Sequence, residues 1–249
     1  MLTTNKGRII DLLTIHLLDD YSLLVLTSGG AVDKVSDWID FYTIMEDVHI
    51  ENMAGQTFHI RIVEGNDIAD RNDFFRFYED ELVGSRPIFL KRNVGPKSFT
   101  EIIGKKASLL QVKNNLRETQ KLDELSLSDY ERYRVEMGEP SFGHELTEDF
   151  NPLEAGLIDY ISFNKGCYIG QEVVARLNTY DKVQRKLVCL AWDGVLEGNQ
   201  IGFQGKSVGV VTSSLAGVGL GYVRNEYAEE GRIVECDDKF LTVTNVLAK

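Results

Sequence analysis

The sequence predicts an α+β protein that ends in a small β-barrel, and three observations support this prediction. Two short apolar runs near the N-terminus, Gly7 to Leu18 and Tyr21 to Thr27, have the composition of strands joined by a tight turn. Apolar residues then recur at helical spacing between Val32 and Met45. In the last third of the chain, short apolar runs alternate with glycines, which is typical of a small barrel or sandwich.

Strands and helices are also predicted for the middle of the chain. We expect two more strands and then two helices, at residues 48–53, 57–64, 105–118 and 129–137. Ser128 is expected to cap the second of these helices, because Glu131 follows three residues later and completes a capping box. The change in composition near residue 183 predicts two domains, residues 1–183 and the barrel domain of residues 184–249.

Composition and charge exclude several classes of protein. The chain of 249 residues has a net charge of −12 and no cluster of Lys and Arg, so we expect no direct nucleic-acid binding. It has neither a signal-peptide pattern nor an apolar run of membrane-spanning length. Its three cysteines are widely spaced and its histidines show no metal-binding pattern, so we expect a reducing compartment and no self-contained metal site. The predicted location is the cytoplasm, or the mitochondrial matrix in a eukaryote.

The stretch NKGCYIGQEVVARL is the main candidate for chemistry. Gly166 and Gly170 allow a close backbone approach to a ligand, and a helix can begin just after Cys167. A helix N-terminus carries partial positive charge and Lys165 adds a full one, so both favour a thiolate. The alternative is that Cys167 is a small buried side chain in a glycine turn, and spacing alone leaves both interpretations open. Cys189, within an apolar strand pattern, is expected in the core.

The octapeptide KGCYIGQE, residues 165–172, resembles the signature of the YgfZ family of folate-binding, iron–sulfur-associated proteins. That family is related to the glycine-cleavage T-protein, an aminomethyltransferase. Further matches lie along the chain in the same order, in MLTTNKGRIIDLL, RVEMG, PLEAGL and GVGLGYVR. The resemblance therefore extends over nearly the whole chain, and it is most specific around Cys167.

The resemblance implies a cloverleaf of three subdomains around a central channel that binds tetrahydrofolate. It places Glu136 where the transferases hydrogen-bond the pterin ring, which suits a carboxylate because a pterin edge offers adjacent N–H donors. It makes Cys167 the essential thiol, with Lys165 tuning it. Four further residues would shape the loop or contact the ligand or partner: Tyr168, Gln171, Glu172 and Arg176. Two of them, Glu172 and Arg176, are also spaced as an ordinary i,i+4 ion pair.

The chain departs from the transferases at two positions that matter for chemistry. Asp11 stands where the first of their paired aspartates lies, but Leu12 replaces the second, functional one, and Thr27 replaces an asparagine that contacts folate. We therefore do not expect aminomethyl transfer of the T-protein type. Relatives also carry further residues before the first strand, so we expect a first subdomain shortened at its N-terminus, with an unpaired sheet edge.

The leading hypothesis is a YgfZ-like, tetrahydrofolate-binding protein that supports assembly or repair of iron–sulfur enzymes, including tRNA-modifying ones. Its partners would be iron–sulfur proteins or their assembly machinery, because one thiolate cannot hold a cluster. Three alternatives remain: a folate-dependent aminomethyl or methyl transferase using another acid, a cysteine hydrolase with His144 as base, and a non-catalytic binding module.

Overall fold

The chain is described as a computed structural model that covers residues 1–63, 88–94, 97–180 and 182–248, without the side chains of residues 88–94 and 97–99. The chain divides into two compact units. The first consists of Met1–Val48 together with Ser126–Lys249, and the second of His49–Leu125. Strands and helices occur in both units, so the predicted mixture of α and β structure is confirmed.

The first unit contains a closed barrel of six antiparallel strands. In chain order the strands are Arg185–Ala191 (β8), Gln200–Phe203 (β9), Lys206–Leu215 (β10), Val218–Arg224 (β11), Ile233–Cys236 (β12) and Lys239–Val246 (β13). Around the barrel they follow the order β10–β11–β8–β13–β12–β9. The predicted C-terminal barrel is therefore confirmed. Buried apolar side chains fill it, among them Val188, Leu190, Val211, Val223, Val234 and Leu241. Each such side chain contributes roughly 1.5–3 kcal/mol by leaving water.

The N-terminal part of the first unit is built from two small antiparallel sheets. Their strands are Leu2–Thr3 (β1) paired with Ile9–Asp11 (β2), and Thr14–Asp19 (β3) paired with Ser22–Leu26 (β4). The single strand expected from Gly7 to Leu18 is therefore wrong, because it divides after Asp11. The Asp11 carboxylate accepts the backbone N–H of Leu12 at 2.8 Å, which takes that group away from strand pairing.

Three helices belong to the first unit: Val32–Tyr42 (α1), Leu127–Glu136 (α3) and Gln171–Thr179 (α4). The expected cap of α3 was wrong by two residues, since Ser126, not Ser128, precedes the helix. The Ser126 hydroxyl accepts the backbone N–H of Asp129 at 3.1 Å. Asp129 is the third residue of the helix, and an N-cap side chain normally accepts the N–H of the second or third residue. No helix in the described ranges is long and apolar enough to cross a membrane.

The second unit contains a three-stranded sheet in the order β5–β7–β6 with one helix packed on it. These elements are Thr57–Ile62 (β5), Ile88–Val94 (β6), Lys97–Lys105 (β7) and Lys106–Thr119 (α2). The buried residues Ile62, Ile102, Leu109, Val112 and Leu116 form the core between sheet and helix. The expected strand at 48–53 is wrong, because Asn52 and Met53 accept backbone N–H groups in a turn that leads into β5. Glu64, the last residue of the next expected strand, lies outside the described residues.

Candidate functional site

The loop of residues 164–170 is anchored on the N-terminal strands of the first unit. The Thr3 hydroxyl donates a hydrogen bond to the Ile169 carbonyl at 2.8 Å. Gly170 has a φ of +85°, and a Cβ placed on it would lie 2.5 Å from the carbonyl oxygen of Thr4. A side chain would strain this position twice, through the backbone angle and through the clash. Gly170 therefore lets the loop pass close to the chain at Thr4 and then begin α4.

Cys167 is exposed on this loop, so the buried interpretation of its thiol does not describe the structure. The Lys165 ammonium lies 4.8 Å from the centre of the Tyr168 ring. Tyr168 and Gln171 exchange two hydrogen bonds of 3.2 Å, one to the Gln171 side chain and one to the Tyr168 carbonyl. Because the thiol is accessible, and Lys165 and the start of α4 lie close to it in sequence, the loop meets the steric requirement for a reactive cysteine.

Tyr168 has a buried hydroxyl that finds no hydrogen-bond partner in the part of the chain that the structure describes. Burial raises the pKa of its phenol, whose hydroxyl is protonated at neutral pH even at the ordinary value. A protonated hydroxyl can both donate and accept, and buried polar groups are normally satisfied. The buried hydroxyl therefore keeps unused hydrogen-bonding capacity.

Glu172 and Arg176 form an ion pair on the exposed side of α4. The Arg176 guanidinium lies 2.6 Å from the Glu172 carboxylate, and their side chains are 66% and 83% exposed, respectively. This is the i,i+4 pair that the spacing allowed. Such exposed pairs contribute little to stability, so the pair orients two side chains without fixing them firmly.

Glu136 lies at the C-terminal end of α3, away from the cysteine loop in sequence, and its side chain is about half exposed. One of its carboxylate oxygens is 3.3 Å from the Arg132 guanidinium. Among the described residues, no hydrogen bond or ion pair joins Glu136 to residues 164–172. The structure therefore brings Lys165, Tyr168 and Gln171 into contact, and it leaves Glu136 on a separate element.

A buried charged centre, to which the sequence analysis assigned no role, lies where α3 meets the barrel. Glu145 is completely buried, and its carboxylate accepts hydrogen bonds from four groups. These are the guanidinium of Arg134 at 3.2 Å, the backbone N–H of Ser141 at 3.0 Å, and the hydroxyls of Thr212 at 2.6 Å and Ser213 at 2.7 Å. The centre therefore ties α3 to β10 with every charge compensated.

The sequence signal at this centre was the RVEMG match, which includes Arg134. That Arg134 is only 2% exposed, and so needs an internal partner, is seen in the structure alone. No spacing rule identifies Glu145, eleven residues later in the chain, as that partner. We refer to Arg134, Glu145, Thr212 and Ser213 as the Glu145 centre.

The Asp11 carboxylate is fully buried and used for local structure. It accepts the backbone N–H groups of Leu12 and Ser28, both at 2.8 Å, and the Ser28 hydroxyl at 2.6 Å. Leu12 packs against the apolar cluster between the N-terminal strands and the barrel. Asp11 is therefore saturated, and Leu12 offers no polar group. Within the described residues, no group of three or more His, Cys, Asp and Glu could hold a metal ion.

Comparison with known proteins finds relatives among transferases, while no family model matches the chain. A chloroplastic protein of Arabidopsis thaliana, named a "putative transferase", is 43% identical over 112 residues, which are 42% of this chain and 26% of that protein. The aminomethyltransferase of Staphylococcus carnosus is 25% identical over 94% of this chain and 70% of its own length. The aminomethyltransferase of Chlorobium phaeovibrioides is 29% identical over 67% of this chain and 50% of its own length.

The chain thus spans about a quarter of the first of these relatives and between half and 70% of the other two. Their names agree with the aminomethyltransferase side of the resemblance seen in KGCYIGQE and RVEMG. They do not single out the YgfZ branch. The chain is therefore similar to aminomethyltransferases and to a putative transferase over the stretches given above.

Proposed function

We propose that this chain binds a tetrahydrofolate and uses Cys167 to support assembly or repair of iron–sulfur enzymes, including tRNA-modifying ones, as in the YgfZ family. A cloverleaf of three subdomains around a folate channel, in the cytoplasm or a mitochondrial matrix, is part of this proposal. The observation that carries it is the exposed thiol of Cys167, held beside Lys165 on an anchored loop that leads into α4.

The residues present fit a reduced folate in their donor and acceptor groups. Glu136 is about half exposed, and only one of its carboxylate oxygens is engaged, by Arg132. Its other oxygen can accept an N–H of the pterin, and charge-assisted hydrogen bonds of this kind are among the stronger ones in proteins. The unpartnered hydroxyl of Tyr168 offers a second contact, with Gln171, Glu172 and Arg176 nearby in sequence. Tetrahydrofolate, when bound, would supply a carrier for one-carbon units.

The proposed role of the thiol needs a partner. An iron–sulfur cluster is generally held by four protein ligands, and Cys167 supplies one. Lys165 would stabilise negative charge that develops on the sulfur, and its position over the Tyr168 ring keeps its ammonium on the loop. The remaining ligands would come from a client iron–sulfur protein or from small thiols. This function therefore requires an exposed loop instead of an enclosed cluster site.

Calorimetric titration with tetrahydrofolate tests the cofactor part of the proposal. We expect Glu136→Ala to weaken binding about tenfold or more, because a charged hydrogen bond contributes about 1.5–3 kcal/mol. Arg132→Ala is the matched control, since it removes the same ion pair but keeps the carboxylate, and it should bind nearly as the wild type does. Absence of binding by the wild-type protein would contradict the proposal.

Complementation tests the thiol. In cells that lack the protein, we expect Cys167→Ser to fail to restore the activity of an iron–sulfur tRNA-modifying enzyme, while the protein stays folded. Cys189→Ala is the control, because it removes a thiol that lies in the barrel and is partly buried. Full restoration by Cys167→Ser would show that the thiol is not essential.

A second candidate function is a folate-dependent aminomethyl or methyl transferase, and the names of the relatives in Staphylococcus carnosus and Chlorobium phaeovibrioides favour it. The saturated carboxylate of Asp11 and the apolar Leu12 leave this reaction without the acid that the resemblance would place there. Steady turnover of a one-carbon donor by the purified protein, unaffected by Cys167→Ser, would establish the transferase instead.

A further inference from the structure

A cavity of about 800 Å³ opens on one end of the barrel. It is lined by residues of β8, β9, β10 and β11 and by the short 3₁₀ turn Asn225–Tyr227. Pockets of this volume accommodate small organic molecules. The polar residues that matter for its chemistry are Arg185, Arg224, Gln200, Ser207 and Glu226.

Two arginines line this cavity from directly opposite positions of a strand pair. Arg185 of β8 and Arg224 of β11 are register partners, and both line the cavity. Side chains at directly opposite positions point to the same face of a sheet, and like charges there are unfavourable. The two positive charges also contrast with the net charge of −12 of the whole chain.

Arg185 is held in place from one side. Its guanidinium donates to the Asp149 carbonyl at 3.1 Å, lies 3.4 Å from the Glu154 carboxylate, and stacks over the Phe150 ring at 5.0 Å. The buried Glu154 also lies 3.6 Å from the Arg8 guanidinium. One carboxylate thus serves two arginines, so Arg8, Arg185 and Glu154 together carry one net positive charge.

Arg224 is exposed and has no carboxylate within 4.0 Å among the residues that the structure describes. Glu226 lines the same cavity but does not come within ion-pair distance of either arginine. The other polar contributors are neutral: the Gln200 amide donates to the Gly209 carbonyl at 3.0 Å and also contacts the Ser207 hydroxyl. Val208 and Val210 add an apolar wall.

We propose that this cavity binds a small organic anion whose phosphate or carboxylate group bridges Arg185 and Arg224. An oxyanion has several acceptor oxygens, and the planar guanidinium group matches their spacing. Bound between the two arginines, it would compensate the opposed charges that the fold leaves in place. Ser207 and the valine wall would contact the organic part of the ligand. This site lies in the barrel and depends on neither Glu136 nor the cysteine loop.

Calorimetry with two probes, inorganic phosphate and citrate, tests the proposal on the full chain. We expect at least one of them to bind the wild-type protein, and Arg224→Gln to weaken that binding about tenfold or more, as loss of a charge-assisted hydrogen bond predicts. Lys186→Gln is the matched control. It removes one positive charge from the neighbouring position of β8, whose side chain points to the opposite face of the strand, and should change affinity less than about twofold.

Thermal unfolding gives a second readout that separates binding from folding. Without an anion, Arg224→Gln should melt at or above the wild-type temperature, because it relieves the opposed charges. Added phosphate or citrate should raise the melting temperature of the wild type and of Lys186→Gln but not of Arg224→Gln. If phosphate raises the melting temperature more than citrate does, the ligand is assigned as a phosphate ester. If citrate raises it more, the ligand is assigned as a carboxylate. Binding of neither probe, or equal binding by Arg224→Gln, would overturn the proposal.

Discussion

The Glu145 centre and the cysteine loop both place a cation next to an acidic group or a thiol, but they do so in opposite environments. Glu145 is completely buried, and its carboxylate is paired with Arg134 and three further donors. Cys167 is exposed, and its neighbour Lys165 contacts an aromatic ring instead of a carboxylate. A buried charge whose partners are all internal has no capacity left for a ligand, whereas an exposed group with few partners stays available to one.

The same difference in burial and in number of partners separates two acidic residues that the family comparison singled out, Asp11 and Glu136. Asp11 is buried and receives three hydrogen bonds from its own unit. Glu136 is about half exposed and holds a single ion pair with Arg132. The resemblance makes only Glu136 a candidate ligand contact, and the two carboxylates also differ in the number of partners that each already has.

The largest expected effect is on the Glu145 centre. Glu145→Ala leaves Arg134 buried with its main internal partner removed, and breaking a buried ion pair in this way costs about 3–5 kcal/mol. Urea unfolding should show this loss in the free energy of unfolding. The control is Glu131→Ala, which removes a second carboxylate, 2.8 Å from the same arginine, that is 45% exposed. Its cost should be about 1 kcal/mol or less, and equal costs would contradict the role of burial.

The next largest effect concerns the anchoring of the cysteine loop. Gly170→Ala puts a Cβ against the Thr4 carbonyl at a φ of +85°, which should cost about 1–3 kcal/mol. Gly166→Ala is the matched control on the same loop, because a Cβ there meets nothing within 4 Å, and it should change stability by less than about 0.5 kcal/mol. Urea unfolding measures both. A larger cost for Gly166→Ala would mean that the loop is not anchored at Gly170.

The cysteines give a smaller, pH-dependent contrast. Burial raises the pKa of the Cys189 thiol from 9.0 to about 11. The folded state then keeps a proton that the unfolded chain loses, so stability should fall as the pH rises from about 9 to about 11. Unfolding measured over this range should show a steeper fall for the wild type than for Cys189→Ala. Equal slopes in the wild type and in Cys189→Ala would count against this assignment.

The smallest expected effect is at the exposed pair on α4. Glu172→Gln removes an ion pair whose side chains are mostly exposed, so the free energy of unfolding should change by about 0.5 kcal/mol or less. Titration with tetrahydrofolate is the more informative measurement on this variant. Weakened binding at unchanged stability would place Glu172 in the ligand site, whereas unchanged binding would leave the pair as a helix contact only.

Local sequence patterns were sufficient to predict the strands and helices that are defined by residues close together in the chain. The alternation of glycines and apolar runs after residue 183 correctly predicted the barrel, since strands and their turns are encoded within a few residues. Apolar spacing correctly predicted α1 and α2, and the glycine before Gln171 marked the start of α4. The prediction failed at Ser128, because the Ser126 hydroxyl accepts the backbone N–H that caps α3. It also failed at the strand through Leu12, because the Asp11 carboxylate accepts the Leu12 N–H and the strand ends there.

By itself, then, the sequence determined the class of fold, the barrel and the loop that carries Cys167, because each depends on neighbouring residues. Only the tertiary structure decided which charged side chains are already paired within the protein and which can still bind a ligand. The pairing of Arg134 with Glu145 and the opposition of Arg185 and Arg224 join residues that are far apart in the chain. Burial and partner number, which set the energy of a charge, arise only when those distant segments pack together.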